Sequence, residues 1–286
     1  MINRLITITV KDVCMFHKIV ALFMTAILHA GCLQANTNNH AHHEAQTAPN
    51  SLSLEISLKE PLAKGKMTSI QLELIDSKSH KQLTLADLKT VHTEKLHLLI
   101  IDPTLSDYHH IHPVMDKKTG MFVFDFTPQT NGAYRLWADV TPLATNQQTY
   151  VMADMGVPSK QIPIINKTVN TVVHLNEYTF ALKFDGEVKA GKPAMGTITV
   201  TKDNKSFTSL EPVMGAFAHI VGFGEEYHSV LHIHPMGKEP TKSSDRGGPT
   251  LEFHIEPEKT GFVKLFAQMR IGGQEIFVPF GIEVKQ

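Results

Sequence analysis

FVFDFTPQTNGAYRLWADV, residues 122–140, returns in outline as LEFHIEPEKTGFVKLFAQM, residues 251–269. Pro128 and Gly132 align with Pro257 and Gly261, and Trp137 aligns with Phe266. Each stretch holds two runs of alternating apolar and polar residues with a turn between them. A period of two is the mark of a half-buried strand, and Pro and Gly punctuate it. Working outward, the same texture continues. Upstream lie LSLEISL (52–58), MTSIQLELI (67–75) and the nearly continuous apolar run KLHLLIID (95–102); downstream lies TYVMADMGV (149–157). In the second half YTFALKF (178–184) matches the opening strand, and KAGKPAMGTITVT (189–201) matches LAKGKMTSIQLEL (62–74). Each copy closes in a hairpin, the second through Gly272-Gly273. One short helix candidate, LADLK (85–89), interrupts the pattern. Short strands at this spacing predict an antiparallel sandwich or barrel, built twice by internal duplication.

The rest of the chain divides around these copies. Residues 1–31 read as a signal peptide: Lys18 precedes the apolar run IVALFMTAILHA (19–30), too short to span a bilayer as a helix. Met15 is an alternative start, since residues 1–14 add little to that signal. Ala30 and Gly31 directly before Cys32 resemble a bacterial lipoprotein cleavage box, which predicts lipidation of Cys32. His29 stands where that box has an aliphatic residue, so ordinary cleavage after Ala35 competes with it. Residues 32–50 form a polar tether whose His40, His42 and His43 read as solvated linker residues. The first domain is then 51–157, the linker 158–171 and the second domain 172–286. At 42% hydrophobic residues the chain has the material for two packed cores. A formal charge of −1 gives no electrostatic reason to bind nucleic acid. Cys14 and Cys32 are the two cysteines, so the mature domains contain no disulfide and no thiolate ligand. Any metal site must draw on the 17 histidines, on methionine or on carboxylates.

The histidines follow the duplication. The word His-Ile-His-Pro occurs at His110–Pro113 and again at His232–Pro235. His97 precedes His112 by 15 residues, and His219 precedes His234 by 15. If 97–101 and 108–112 pair as antiparallel strands across DPTLSD, Ile101 faces Tyr108 and every facing pair sums to 209. His97 then lies across from His112, and His110 shares its face. In the second copy the sum is 453, which sets His219 across from His234 with His232 beside it. The intervening turn is GFGEEYHS (222–229), so the turn letters change while the imidazole geometry is kept.

Three neutral imidazoles suit zinc or copper. Met115 after the first triple and Met236 after the second would add a soft thioether and favour copper, whereas Asp116 and Glu239 are harder alternatives. The expected ligands are therefore His97, His110, His112 and Met115 at one site and His219, His232, His234 and Met236 at another. A copper ion is expected at each, with zinc as the alternative. His109, His228 and His254 have no counterpart in the other copy; Met152 and Met155 (VMADM) resemble a Met-rich copper motif, but two Met on a β-hairpin are more often core. The bland reading stays open: His is tolerated on strand faces, and Pro113 and Pro235 end strands whether or not a metal is bound.

MGAFAHIVGF, SVLHIHP and TGFVKLFAQMRIGGQ in the second copy, with LHLLII, HHIHP and NGAYRLWADV in the first, resemble a group of exported bacterial proteins with YtkA-like immunoglobulin-type domains. That resemblance covers roughly residues 52–286. It implies an all-β chain of two tandem immunoglobulin-like antiparallel β-sandwich domains, and a link to heavy-metal or copper handling. The leading expectation is an extracytoplasmic metal-binding protein, not an enzyme, that buffers, delivers or senses the ion. It would be periplasmic or anchored in the membrane through Cys32. Its partners would be metal ions and another exported metal-handling protein. Two rivals remain. In one, tandem sandwiches display a contact loop, the insertion GKEPTKSSDRGG (237–248). In the other, a cupin-like metalloenzyme uses His110, His112 and Asp116 or His232, His234 and Glu239, but the later cupin histidine is missing. No nucleophile elbow or phosphate loop stands in the chain.

Overall fold

The computed structural model describes residues 51–286 apart from positions 92, 159, 161, 162 and 234. The leader, the tether, Cys32 and His234 lie outside the described residues. The first repeat carries β1 (Leu52–Leu58), β2 (Thr68–Asp76), β3 (Gln82–Leu83), β4 (Leu96–Ile101), β5 (Tyr108–Ile111), β6 (Val114–Met115), β7 (Phe122–Phe126), β8 (Tyr134–Val140) and β9 (Thr149–Met155). The second carries β10 (Val172–Leu175), β11 (Tyr178–Phe184), β12 (Ala194–Lys202), β13 (Lys205–Ser206), β14 (His219–Gly224), β15 (Val230–Ile233), β16 (Thr250–Ile255), β17 (Gly261–Ile271) and β18 (Gln274–Val284). The helix candidate is a single 3-10 turn, Leu85–Asp87, capped by Thr84.

Each repeat is a sandwich of two antiparallel sheets. In the first, the outer sheet runs β1-β2-β7-β6 with β3 on β2, and the inner sheet runs β5-β4-β8-β9. In the second, the inner sheet runs β15-β14-β17-β18, and the outer sheet runs β10-β11-β12 with β13 and β16 on β12. The inner sheets thus correspond strand for strand. Gly132 and Gly261, aligned in sequence, have φ of 112° and 114° just ahead of β8 and at the start of β17. A side chain there would be strained, which explains why both copies keep glycine. At the β7–β8 corner the Tyr134 hydroxyl receives the Thr130 amide at 3.0 Å and donates to Asp107, a tyrosine corner of immunoglobulin type.

Leu72, Phe122, Leu98, Ile100 and Leu136 fill the space between the first pair of sheets; Phe180, Ile198, Ile220, Leu265 and Phe280 fill the second. A third apolar cluster joins Leu99, Ile101, Tyr108, Trp137 and Tyr150 to Val221, Phe223, Val230 and Phe266. The two inner sheets therefore pack on each other, within one compact unit. This is why LHLLII is buried at every position: alternate residues serve two different cores. Burying each large side chain stabilises by about 1.5–3 kcal/mol, so this interface is substantial.

Candidate metal centre

The site starts with strand register. β4 pairs with β5 through Ile101↔Tyr108, Leu99↔His110 and Leu98↔Ile111, the register derived from sequence. The β4–β5 turn is held by Asp102, whose carboxylate accepts the amides of Thr104, Ser106 and Asp107 at 3.1, 2.8 and 2.8 Å. His97 lies one step beyond the last ladder pair, and its Nδ1 is 3.0 Å from Nε2 of His112 and 3.2 Å from Nε2 of His110. In the second repeat β14 pairs with β15 through Phe223↔Val230 and Ile220↔Ile233, again as the sequence arithmetic required. There the turn is built differently, with Ser229 Oγ donating to Glu226 at 2.7 Å.

What sequence did not anticipate is where the two faces point. The sequence places the triples at two sites, whereas the structure brings His97, His110 and His112 together with His219 and His232 on inner-sheet faces that pack together. His110 has ring centroids 5.5 Å from His219 and 5.3 Å from His232, and His97 is 5.5 Å from His232. Their ligand atoms form two groups that share one member: His97, His110 and His112, and His110, His219 and His232, each within 4.8 Å. His97, His219 and His232 are buried at 3%, 0% and 5% exposure; His110 and His112 are partly buried.

Hydrogen bonds fix the tautomers. Nε2 of His97 donates to the Val91 carbonyl at 3.1 Å, and Nε2 of His219 donates to the equivalent Val213 carbonyl at 3.1 Å. A carbonyl only accepts, so Nδ1 carries the lone pair in each of these neutral rings. Nδ1 of His110 lies 3.0 Å from Oε1 of Gln268, whose Nε2 donates to Glu275 at 2.9 Å. That amide orientation makes His110 Nδ1 the donor and leaves the lone pair on Nε2. Nδ1 of His232 donates to Oδ2 of Asp139 at 2.8 Å, so Nε2 is the nitrogen that could meet an ion.

Asp139 and Gln268 are the residues that motif reading missed. They occupy equivalent positions, facing His97 and His219 across β4–β8 and β14–β17. Each reaches across the interface to the other repeat's middle histidine. Behind them the chemistry is exchanged: Gln148 Nε2 donates to both oxygens of Asp139 at 2.9 Å, whereas Glu275 accepts from Gln268. The signal available in sequence was the pairing rule itself, carried one strand further.

The electrostatics disfavour protonation of His97, His110 and His112. Burial, then the neighbouring His232, pushes His97 down to about 4. Burial and the surrounding imidazoles push His110 well below the usual value; His112 is also lowered by burial, against the pull of Glu94. Burial works to raise the Asp139 carboxyl, but the His232 hydrogen bond and nearby imidazoles outweigh it, and the group stays below the ordinary carboxylate value. A buried carboxylate is thus set among the imidazoles.

The other candidates fall elsewhere. Met115 lies in β6 of the outer sheet and packs against the first core, and Met236 is 50% exposed. Met115 is thus on the sheet opposite the one that carries His97 and His110. Asp116 accepts the Lys118 amide at 2.8 Å in its own turn, and Glu239 is exposed. His109 pairs with Asp107 at 2.9 Å, and His228 sits 3.0 Å from Arg135.

A family model described as a domain of unknown function (DUF8832) matches residues 45–156 and again 171–286. No curated protein matches the chain. Among solved structures, Salmonella alpha-2-macroglobulin mutant Y1175G is 11% identical with a TM-score of 0.24, covering 82% of this chain and 15% of its own. The D0-D1 domain of intimin is 10% identical with a TM-score of 0.23, covering 81% and 98%. MtrC from Shewanella baltica OS185 is 6% identical with a TM-score of 0.22, covering 80% and 68%. The chain therefore spans less than a sixth of the macroglobulin's length.

Proposed function

The chain belongs to the DUF8832 family, with two copies of its domain, and we propose that it is a metal-binding protein holding one transition-metal ion where those copies meet. One observation carries this reading. Lone pairs on His97 Nδ1 and His110 Nε2 face each other at 3.2 Å. Without a cation or a proton between them such acceptors repel. Nitrogens at 2.0–2.1 Å from a tetrahedral ion stand about 3.3 Å apart, so the spacing fits a metal. The outer partners fit as well: ligating imidazoles characteristically donate their other N–H to a carboxylate, amide or carbonyl.

The donors are imidazole nitrogens, which serve copper and zinc alike. Copper(II) remains the first choice because nitrogen sites follow the Irving–Williams order. His110 presents a single lone pair and belongs to both groups, so one ion per chain replaces the two expected from sequence. Burial of the centre suits holding and passing an ion better than turning over a substrate, so the role proposed is buffering or delivery, not catalysis. The signal-like leader supports export, with Cys32 as a membrane anchor and another exported metal-handling protein as the recipient.

The test is ion stoichiometry and affinity on the full chain. Wild type should hold one tight Cu²⁺ or Zn²⁺, His110→Ala none, and His254→Ala one. A correctly folded wild type without tight binding would reduce the histidines to an interdomain hydrogen-bond cluster, and the 237–248 loop would become the leading surface.

A further inference from the structure

Resting on that reading, we infer that the centre has two stations for one ion, an outer loading station at His97, His110 and His112 and an inner holding station at His110, His219 and His232. The two groups overlap in His110 alone. Their surroundings differ in the way two such stations would require. In the outer group the His112 side chain keeps 21% exposure and has Glu94, itself 48% exposed, 4.0 Å from its Nδ1. Glu94 can draw a hydrated cation to the rim, and His112 is the donor a cation reaches first. In the inner group His219 is fully buried and His232 nearly so. His232 is also the ring whose N–H goes to a carboxylate, and that partner raises ligand basicity more than an amide does.

His110 joins the stations. Its N–H is held by the neutral Gln268 amide, with Glu275 one hydrogen bond further back. This makes it a weaker, exchangeable ligand, suited to staying bound while the ion changes its other partners. The single lone pair at Nε2 excludes simultaneous occupancy, so the stations act in sequence. Nothing is oxidised or reduced in the transfer; imidazole nitrogens and water exchange around the same cation.

The full chain supplies its own reporter. Trp137, the single tryptophan, lies on the same inner-sheet face, two residues from Asp139, and Cu²⁺ quenches indole fluorescence. Loading is followed by stopped-flow quenching, affinity by chelator competition, and the coordination by the Cu²⁺ paramagnetic resonance spectrum. His112→Ala should load about tenfold more slowly, with near-wild-type affinity and an unchanged spectrum. His112→Gln should behave the same way. Asp139→Asn is isosteric and should lower affinity about 10- to 100-fold. It should also shift the spectrum toward that of an ion resting at the outer station, with loading at the wild-type rate. Equal loss of affinity in both variants, or wild-type loading in His112→Ala, would overturn the two-station scheme while leaving a single metal centre. Absence of binding in wild type would remove the functional reading as well.

Discussion

At the scale of the residue, the centre depends on imidazoles kept neutral by burial. His97 is the clearest case, pushed to about 4 when folded, whereas an unfolded imidazole titrates near 6.5. Between those values the unfolded chain binds a proton that the folded chain refuses. Stability therefore rises with pH through this window; it is complete above about 6.5 and is lost as pH falls toward 4. His110 and His112 shift in the same direction and add to the effect. Asp139 acts lower down: its folded carboxyl is depressed, so its contribution is lost only below the ordinary carboxylate range. Metal-free protein should lose about 3 kcal/mol through His97 alone between neutral pH and pH 4. Urea unfolding at stepped pH checks this, and His97→Gln should flatten the slope. A stability unchanged from pH 7 to 4.5 would mean that the cluster is not held neutral.

At the scale of the element, register decides which side chains can meet. The β4–β5 and β14–β15 pairings were legible in sequence because turn length and period-two alternation leave one solution that keeps the apolar residues buried. His97, His110 and His112 on one face followed directly. Asp139 and Gln268 were not legible as motif residues, since the two copies carry different letters there and nothing local marks them. Nor was the approach of the inner faces, although LHLLII, buried at every position, held the clue. A strand covered on one side should alternate; this one does not, and the second cover is the other repeat. Met115 follows His112 in sequence across a strand break at Pro113, after which the chain has moved to the outer sheet. The corner before β8 offers a direct test of how the elements are fixed. Tyr134→Phe removes a hydroxyl that donates to buried Asp107 and accepts from Thr130. The expected cost is about 1–3 kcal/mol, seen as a lowered urea midpoint with an unchanged slope.

At the scale of the whole molecule, the two repeats are reciprocal: each supplies the hydrogen-bond partner of the other's middle histidine. His110 leans on Gln268 and His232 on Asp139, so each repeat fixes the ring orientation of the other's middle histidine. Ion binding should consequently be tied to docking of the sandwiches. That docking rests on Trp137, 2% exposed, with its ring 5.5 Å from Phe223. At the far end, Arg135 ion-pairs with Asp154 at 2.6 Å and donates to the Tyr227 carbonyl. Trp137→Ala should cost about 3–5 kcal/mol. It removes interface packing rather than core packing in either sandwich, so single cooperative unfolding should separate into two transitions by calorimetry. Saturating Cu²⁺ or Zn²⁺ should bring them back together, because an ion bound across the interface adds about 4 kcal/mol at a thousandfold excess over its Kd. Two transitions that ignore the metal would show that the ion, if bound, is held within one repeat. A single transition retained in Trp137→Ala would place the coupling elsewhere, with Arg135 as the next residue to remove.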